Sequence, residues 1–218
     1  MAEKFETPRV PGALAPLEDA GALGRDEFGD PASVRGADVC IEAEGRDLSK
    51  LEMSGCLVRN CRFGGADMFG AAFTDVVFDR CDFSNCVMRD AFFLRCEFTG
   101  CKLTGTDMSG AVIKHTAFRG CVLKLANFAG MSTDAVSFEE CDLAGAVLQE
   151  CRLKRCEMRR CGLRGAVLFR TPLRGMDLTG CDIEGISVSE SKSELRGAKI
   201  SFSQAPVIAG LLGMEVEY

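Results

Sequence analysis

Large apolar residues recur at every fifth position along most of this chain. Stepping by five from Leu48 gives Met53, Val58, Phe63, Met68, Phe73, Phe78 and Phe83, and the step holds through Phe118, Phe138 and Leu163 to Val188. Thr133 alone puts a residue on this beat that is not large and apolar. Two places before each large residue lies a second, mostly small phase: Cys56, Cys61, Ala66, Ala71 and onward to Cys181. The residue just before the large one is often acidic, as at Asp67, Asp82, Glu97, Asp107, Asp142, Asp177 and Asp182, and the residue two after it is often Gly. A beat of five belongs neither to a helix, with 3.6 residues per turn, nor to a strand, with two. It requires a backbone that turns a corner every five residues, and four such sides close a square coil of 20 residues.

Stacked coils predict like residues 20 apart, and they are present. Phe78, Phe98, Phe118 and Phe138 form one column; Leu103, Leu123, Leu143 and Leu163 form another. Cys61, Cys81, Cys101, Cys121, Cys141, Cys161 and Cys181 fill a third without a gap. The expected architecture is an all-β solenoid in which each coil buries its inward face only by stacking on the next.

The stretches ADMFG (66–70), CDFSN (81–85), ANFAG (126–130) and CDLAG (141–145) resemble the motif of the pentapeptide-repeat family: a small residue, Asp or Asn, Leu or Phe, then two polar residues. The resemblance covers residues 48–188 in one register and implies a right-handed, four-sided β-helix. Imperfect repeats extend it to 34–200. Val34 and Val39 lie one residue out of step with Leu48, and Leu195 and Ile200 resume the beat two residues out of phase after a break at SESKS (189–193).

The two ends differ from the repeat. Residues 1–33, rich in Pro, Ala and acid, are expected to be a mobile arm or a loose N-terminal cap. Residues 201–218 read as a short helix and an extended tip, with Ser203 as N-cap, Pro206 in the first turn and Gly213 as the stop. Ala205, Ile208, Leu211 and Leu212 form the apolar face, which Met214 and Val216 extend, so this end is read as a cap and a dimerisation element. Ala198-Lys199-Ile200, Gln204-Ala205 and Leu212-Gly213-Met214 resemble the end of the quinolone-resistance branch of the family. That resemblance implies a homodimer joined at this end, a rod that mimics duplex DNA, and binding to DNA gyrase or topoisomerase IV.

Cysteine content changes the chemistry considered. Thirteen cysteines in 218 residues is an odd number, with no C-x-x-C pair and a single histidine, His115, so disulfide-framework and zinc-finger readings lack their pattern. The cysteine column is either a soft-metal or redox ladder or a line of small apolar fillers, and Ala, Thr, Val and Met in equivalent positions favour filling. No metal, cofactor or catalytic residue is expected. His115 falls at a coil corner and reads as a solvated side chain.

Charge limits the mimicry. Residues 1–47 carry 11 acids and 5 bases while residues 48–218 carry 21 of each, so the formal charge of −6 lies wholly in the N-terminal segment. Acids gather in bands, among them Glu139, Glu140 and Asp142, then Asp177, Asp182 and Glu184, without a continuous stripe. Between these lies a basic band of Arg152, Lys154, Arg155, Arg159, Arg160, Arg164, Arg170 and Arg174, which either binds an acidic partner or neutralises its neighbours. These acids, with Arg155, Arg159 and Arg160, are the candidate partner-binding residues. No run of about 18 apolar residues and no secretory signal is visible, so a cytoplasmic protein without membrane or direct nucleic-acid contact is expected. The function expected is topoisomerase binding with some fluoroquinolone tolerance, or, in a different class, a general protein-interaction scaffold.

Overall fold

The beat of five has its cause in the backbone. Every fifth residue from Lys50 to Gly175 turns the chain in the left-handed region, with φ between 48° and 82°. Glycine enters that region freely, whereas a Cβ there crowds the next carbonyl at roughly 1–2 kcal/mol. Leu125 (φ 56°) and Ala135 (φ 57°) nevertheless adopt it, so the coil, rather than local preference, imposes the corner.

The computed structural model describes residues 5–24 and 29–217. Its strands are β1 (Ala15–Leu17), β2 (Ser33–Arg35), β3 (Ala37–Val39), β4 (Glu52–Ser54), β5 (Leu57–Arg59), β6 (Ala72–Thr74), β7 (Val77–Asp79), β8 (Phe92–Leu94), β9 (Glu97–Thr99), β10 (Val112–Arg119), β11 (Ser132–Glu139) and β12 (Arg152–Arg159). All pair in parallel, and from β4 onward each residue lies beside the one 20 positions away, as in Phe73 with Phe93 and Phe118 with Phe138. Two faces of the square are strands, on the columns of Met53 and Val58; the other two, on Phe63 and Met68, are held by single bridges and turns.

The acid before the large residue acts in those turns. The side chains of Asp82, Asp107, Asn127 and Asp142 accept from the N–H two residues on, at 2.9–3.1 Å. This Asx turn bends the chain toward the left-handed corner.

The large phase fills the interior. Phe78, Phe98, Phe118 and Phe138 stack with ring centroids 4.6–4.8 Å apart, matching the ~4.8 Å strand spacing. Thr133 is buried in the same system, and its hydroxyl donates to the Lys154 carbonyl at 3.4 Å.

All seven thiols of the cysteine column lie inside, and each donates to a second-face carbonyl of the coil before it. Cys61 reaches Val39 at 3.3 Å, Cys81 reaches Val58 at 3.4 Å and Cys181 reaches Met158 at 3.5 Å. Thr106 makes the equivalent bond to Phe83 at 2.7 Å. These cysteines are therefore small fillers that also carry a donor, which Ala lacks. Burial pushes the thiols of Cys86, Cys96 and Cys156 up to about 12, so they stay protonated. Among the described residues no group of three or more His, Cys, Asp and Glu could hold a metal ion.

Register shifts mark both ends of the stack. Val34 pairs with Met53 and Val39 with Val58, 19 apart. The side between Val39 and Ala43 is one residue short, leaving Cys40 as the exposed cysteine. At the other end Asp177 pairs with Lys199, 22 apart, so two extra residues are accommodated in the SESKS break. Glu194 secures this detour. It is 2% exposed and accepts from the N–H of Arg170 at 2.8 Å and the hydroxyl of Ser189 at 2.9 Å.

Residues 15–23 are an ordered cap. β1 adds a parallel rung, pairing Leu17 with Val39, and Leu23 is buried at 1% exposure in the short turn that follows. The C-terminal cap is a 3-10 turn leading into α1 (Ala205–Leu211), and here the reading of Ser203 as N-cap is corrected. Ser201 and Gln204 form the capping box, two residues earlier, because Gln204 is drawn inward: its amide donates to the carbonyls of Leu178 and Cys181, at 2.8 and 2.6 Å.

Two outcomes follow from this interior. Phe118→Ala removes the middle of the aromatic stack and is expected to lower unfolding free energy by about 3–5 kcal/mol, read by urea denaturation. Ellman's reagent on native protein should find one fast-reacting thiol, Cys40, with the other twelve appearing only on denaturation; several fast thiols in the folded protein would contradict the packing described.

Candidate functional site

The surface is built from the residues on either side of each inward one, and its charges are matched between neighbouring coils. Arg160 bridges Glu139 and Glu140 at 2.8 and 2.9 Å, and Lys124 meets Asp142 at 3.1 Å. Lys199 meets Asp177 at 2.7 Å, and Arg164 contacts both Asp182 and Glu184. Lys154 and Arg155 converge on Asp134 at 2.8 and 2.6 Å, Arg159 pairs with Glu157 at 2.5 Å, and Arg170 pairs with Glu150 at 2.8 Å. Every candidate partner-binding acid and base thus has an ion-pair partner on the rod itself.

Most of these pairs are well exposed, and such pairs contribute at most about 1 kcal/mol each. Their effect is on the field. The Lys199 ammonium beside Asp177 holds that carboxyl well below the usual carboxylate range, and Lys154 with Arg155 does the same for Asp134. Negative charge at these acids is locally countered. In the basic band Arg152 and Arg174 stand apart, exposed on the first face with no carboxylate within ion-pair distance among the described residues.

The predicted dimer residues separate into two sets. Ile208 and Leu211 pack inward against the end of the core. Ala205, Leu212, Met214 and Val216 face outward, with Leu212 54% and Met214 60% exposed. Phe202, which periodicity did not single out, is 96% exposed in the 3-10 turn that leads into α1. Α short apolar surface therefore lies at the tip of the rod.

A second cluster lies on the corner between the two strand faces, where Gly55, Asp75, Arg95 and His115 follow one another at 20-residue steps. Arg95 grips Asp75 through two bonds of 2.6 and 2.7 Å, and both side chains are under one fifth exposed because residues 5–11 lie across them. The Arg9 N–H donates to Asp75 Oδ1 at 3.0 Å and the Glu6 N–H donates to His115 Nδ1 at 3.2 Å. Burial alone would raise the Asp75 carboxyl, but the Arg95 guanidinium and the Arg9 N–H outweigh it and hold it below its ordinary value. The expectation of a solvated His115 is corrected: it is half-buried beneath Phe5 and Glu6. Coil periodicity places His115 at a corner but is silent on what crosses it. The readable signal was the pair Pro8 and Pro11, which favours an extended segment.

Several solved structures are similar to this chain at low sequence identity. Full-length QnrB1, a plasmid-mediated fluoroquinolone resistance protein, is 16% identical over 84% of this chain and 98% of its own, with a TM-score of 0.47. A pentapeptide repeat protein from the Arabidopsis thaliana thylakoid lumen is 22% identical over 52% of this chain and 68% of its own, at 0.33. HetL, a pentapeptide repeat protein involved in heterocyst differentiation regulation from the cyanobacterium Nostoc, is 18% identical over 73% and 84%, at 0.29. No curated protein sequence matches the chain. The family model described as a pentapeptide repeat region matches residues 71–140, and that described as pentapeptide repeats (8 copies) matches 47–85, 137–171 and 149–185. Together these matches run without a gap from residue 47 to 185, over the same coils whose corners and columns are described above, and the chain belongs to the pentapeptide-repeat family.

Proposed function

We propose that this protein is a non-enzymatic interaction rod that pairs end to end through its C-terminal tip and presents its outer faces to a type II topoisomerase, DNA gyrase in the first instance and topoisomerase IV in the second. The observation that carries the reading is the apolar tip, where Phe202, Leu212, Met214 and Val216 are 41–96% exposed around the C-terminal helix. Clustered exposed apolar side chains of this kind mark association surfaces. The choice of partner rests on the resemblance of Ala198-Lys199-Ile200, Gln204-Ala205 and Leu212-Gly213-Met214 to the quinolone-resistance branch.

Dimensions support that choice. The second-face column has ten members from Leu17 to Ile200, paired from one to the next except between Met158 and Leu178, and nine spacings of ~4.8 Å make a rod of ~43 Å. Two rods end to end span ~86 Å, about 25 base pairs at ~3.4 Å each. The ion pairs change how such mimicry would work. Because the acids are countered on the rod, engagement is by shape and local charge, with weak salt dependence, and tolerance of fluoroquinolones follows from occupying the enzyme's DNA track. This partner places the protein in the cytoplasm, and the charge balance of residues 48–218 leaves no footing for direct nucleic-acid binding.

Light scattering of the wild type should give the mass of a dimer, and Leu212→Arg should give a monomer with an unchanged circular dichroism spectrum. A dimer that survives this change sinks the tip as interface. Supercoiling by purified gyrase, titrated with this protein with and without ciprofloxacin, should show inhibition or protection; neither effect at any concentration rejects the topoisomerase and leaves a general interaction scaffold.

A further inference from the structure

The corner cluster has the form of a peptide-binding track that the chain's own N-terminus occupies. Residues 5–11 (Phe-Glu-Thr-Pro-Arg-Val-Pro) run along the outside of the stack in the direction opposite to its growth, from His115 at Glu6, past Asp75 at Arg9, to Gly55 at Pro11. Their two main-chain donors are three residues apart, and the two acceptors are two coils apart. An extended proline-type segment advances ~3.1 Å per residue, so three residues cover ~9.3 Å. Two coils at ~4.8 Å cover ~9.6 Å. Segment and corner are therefore in register, one donor for every second coil.

Side chains reinforce the match. The Glu6 carboxylate lies 2.9 Å from the Arg9 guanidinium and 3.9 Å from that of Arg95, so it links segment to track. The Phe5 ring is 6.4 Å from the His115 ring, and it lines a groove of about 580 Å³ shared with Val136, Ser137 and Arg155. Pro11 fits against Gly55, where a Cβ would stand 3.2 Å from the proline Cδ. Proline at positions 8 and 11 leaves the donors of residues 6 and 9 in place and stiffens the chain between them.

We propose that the Gly55–Asp75–Arg95–His115 corner is a binding track for extended, proline-containing peptides with free N–H donors three residues apart, and that residues 5–11 are its resident pseudo-ligand. A partner segment of the same chemistry, aromatic-acidic-x-Pro-Arg-x-Pro, displaces the resident strap and takes its bonds. This site is independent of the C-terminal tip and of any topoisomerase.

The test uses the full-length chain. Hydrogen exchange of the Glu6 and Arg9 amides should be slowed in the wild type; unprotected amides overturn the proposal. In the variant Glu6→Pro/Arg9→Pro the strap keeps its extended form but loses both donors. A fluorescein-labelled peptide of residues 5–12 should then bind this variant roughly tenfold or more tighter than it binds the wild type, where the tethered strap competes at high effective concentration. The same peptide with proline at both donor positions should fail to bind, and Asp75→Ala added to the variant should abolish binding while thermal melting confirms the fold. Equal binding to variant and wild type, binding to neither, or binding of the donor-free peptide each overturns it.

Discussion

The structure depends on hydrogen bonding between one coil and the next through main-chain groups that all lie parallel. That ladder is available only if the chain returns to the same place after 20 residues, and the return depends on a left-handed corner at every fifth residue from Lys50 to Gly175. A corner missed by one residue would turn every later side chain by one position, setting polar residues inward and the phenylalanine column outward. The chain therefore tolerates strained corners at Leu125 and Ala135 rather than shift phase. It admits a short side and a two-residue detour only near the ends, beside Cys40 and beside Glu194, where few coils remain to be displaced.

The same constraint assigns tasks to residues that suggest other chemistry. Thiols on a 20-residue repeat invite a metal or redox reading, yet their donors end on carbonyls of the adjoining coil. Acids on a five-residue repeat invite a reading as phosphate mimics. Several of them close Asx turns, and several on the outer faces meet Arg or Lys from an adjoining coil. Between coils of fixed spacing, opposite charges about 20 residues apart are brought together by the fold itself, as at Arg160 with Glu140 and Lys154 with Asp134. Specific recognition is left to places where the repeat stops or is crossed: the apolar tip and the corner under the N-terminal strap.

Much of this was legible along the chain. The beat of five, the columns at 20, the register offsets at Val34 and Leu195 and the helix near Pro206 are all local or periodic signals, and each is present in the fold. The cap residue was misplaced by two positions, since Ser201 and Ser203 are equally good caps locally and the choice was made by Gln204 bonding to the carbonyls of Leu178 and Cys181. His115 was misread because its neighbours in space are Phe5 and Glu6, more than a hundred residues earlier.

The sequence by itself determined the coil: its period, its inward residues and its corners, because in a solenoid each of these repeats at fixed intervals and contacts only its nearest neighbours. Tertiary structure alone decided which surface charges cancel, which faces of the end caps stay open, and where residues 5–11 lie. Those outcomes depend on side-chain reach between coils and on a non-repeating segment folding back along the rod, neither of which leaves a period to read.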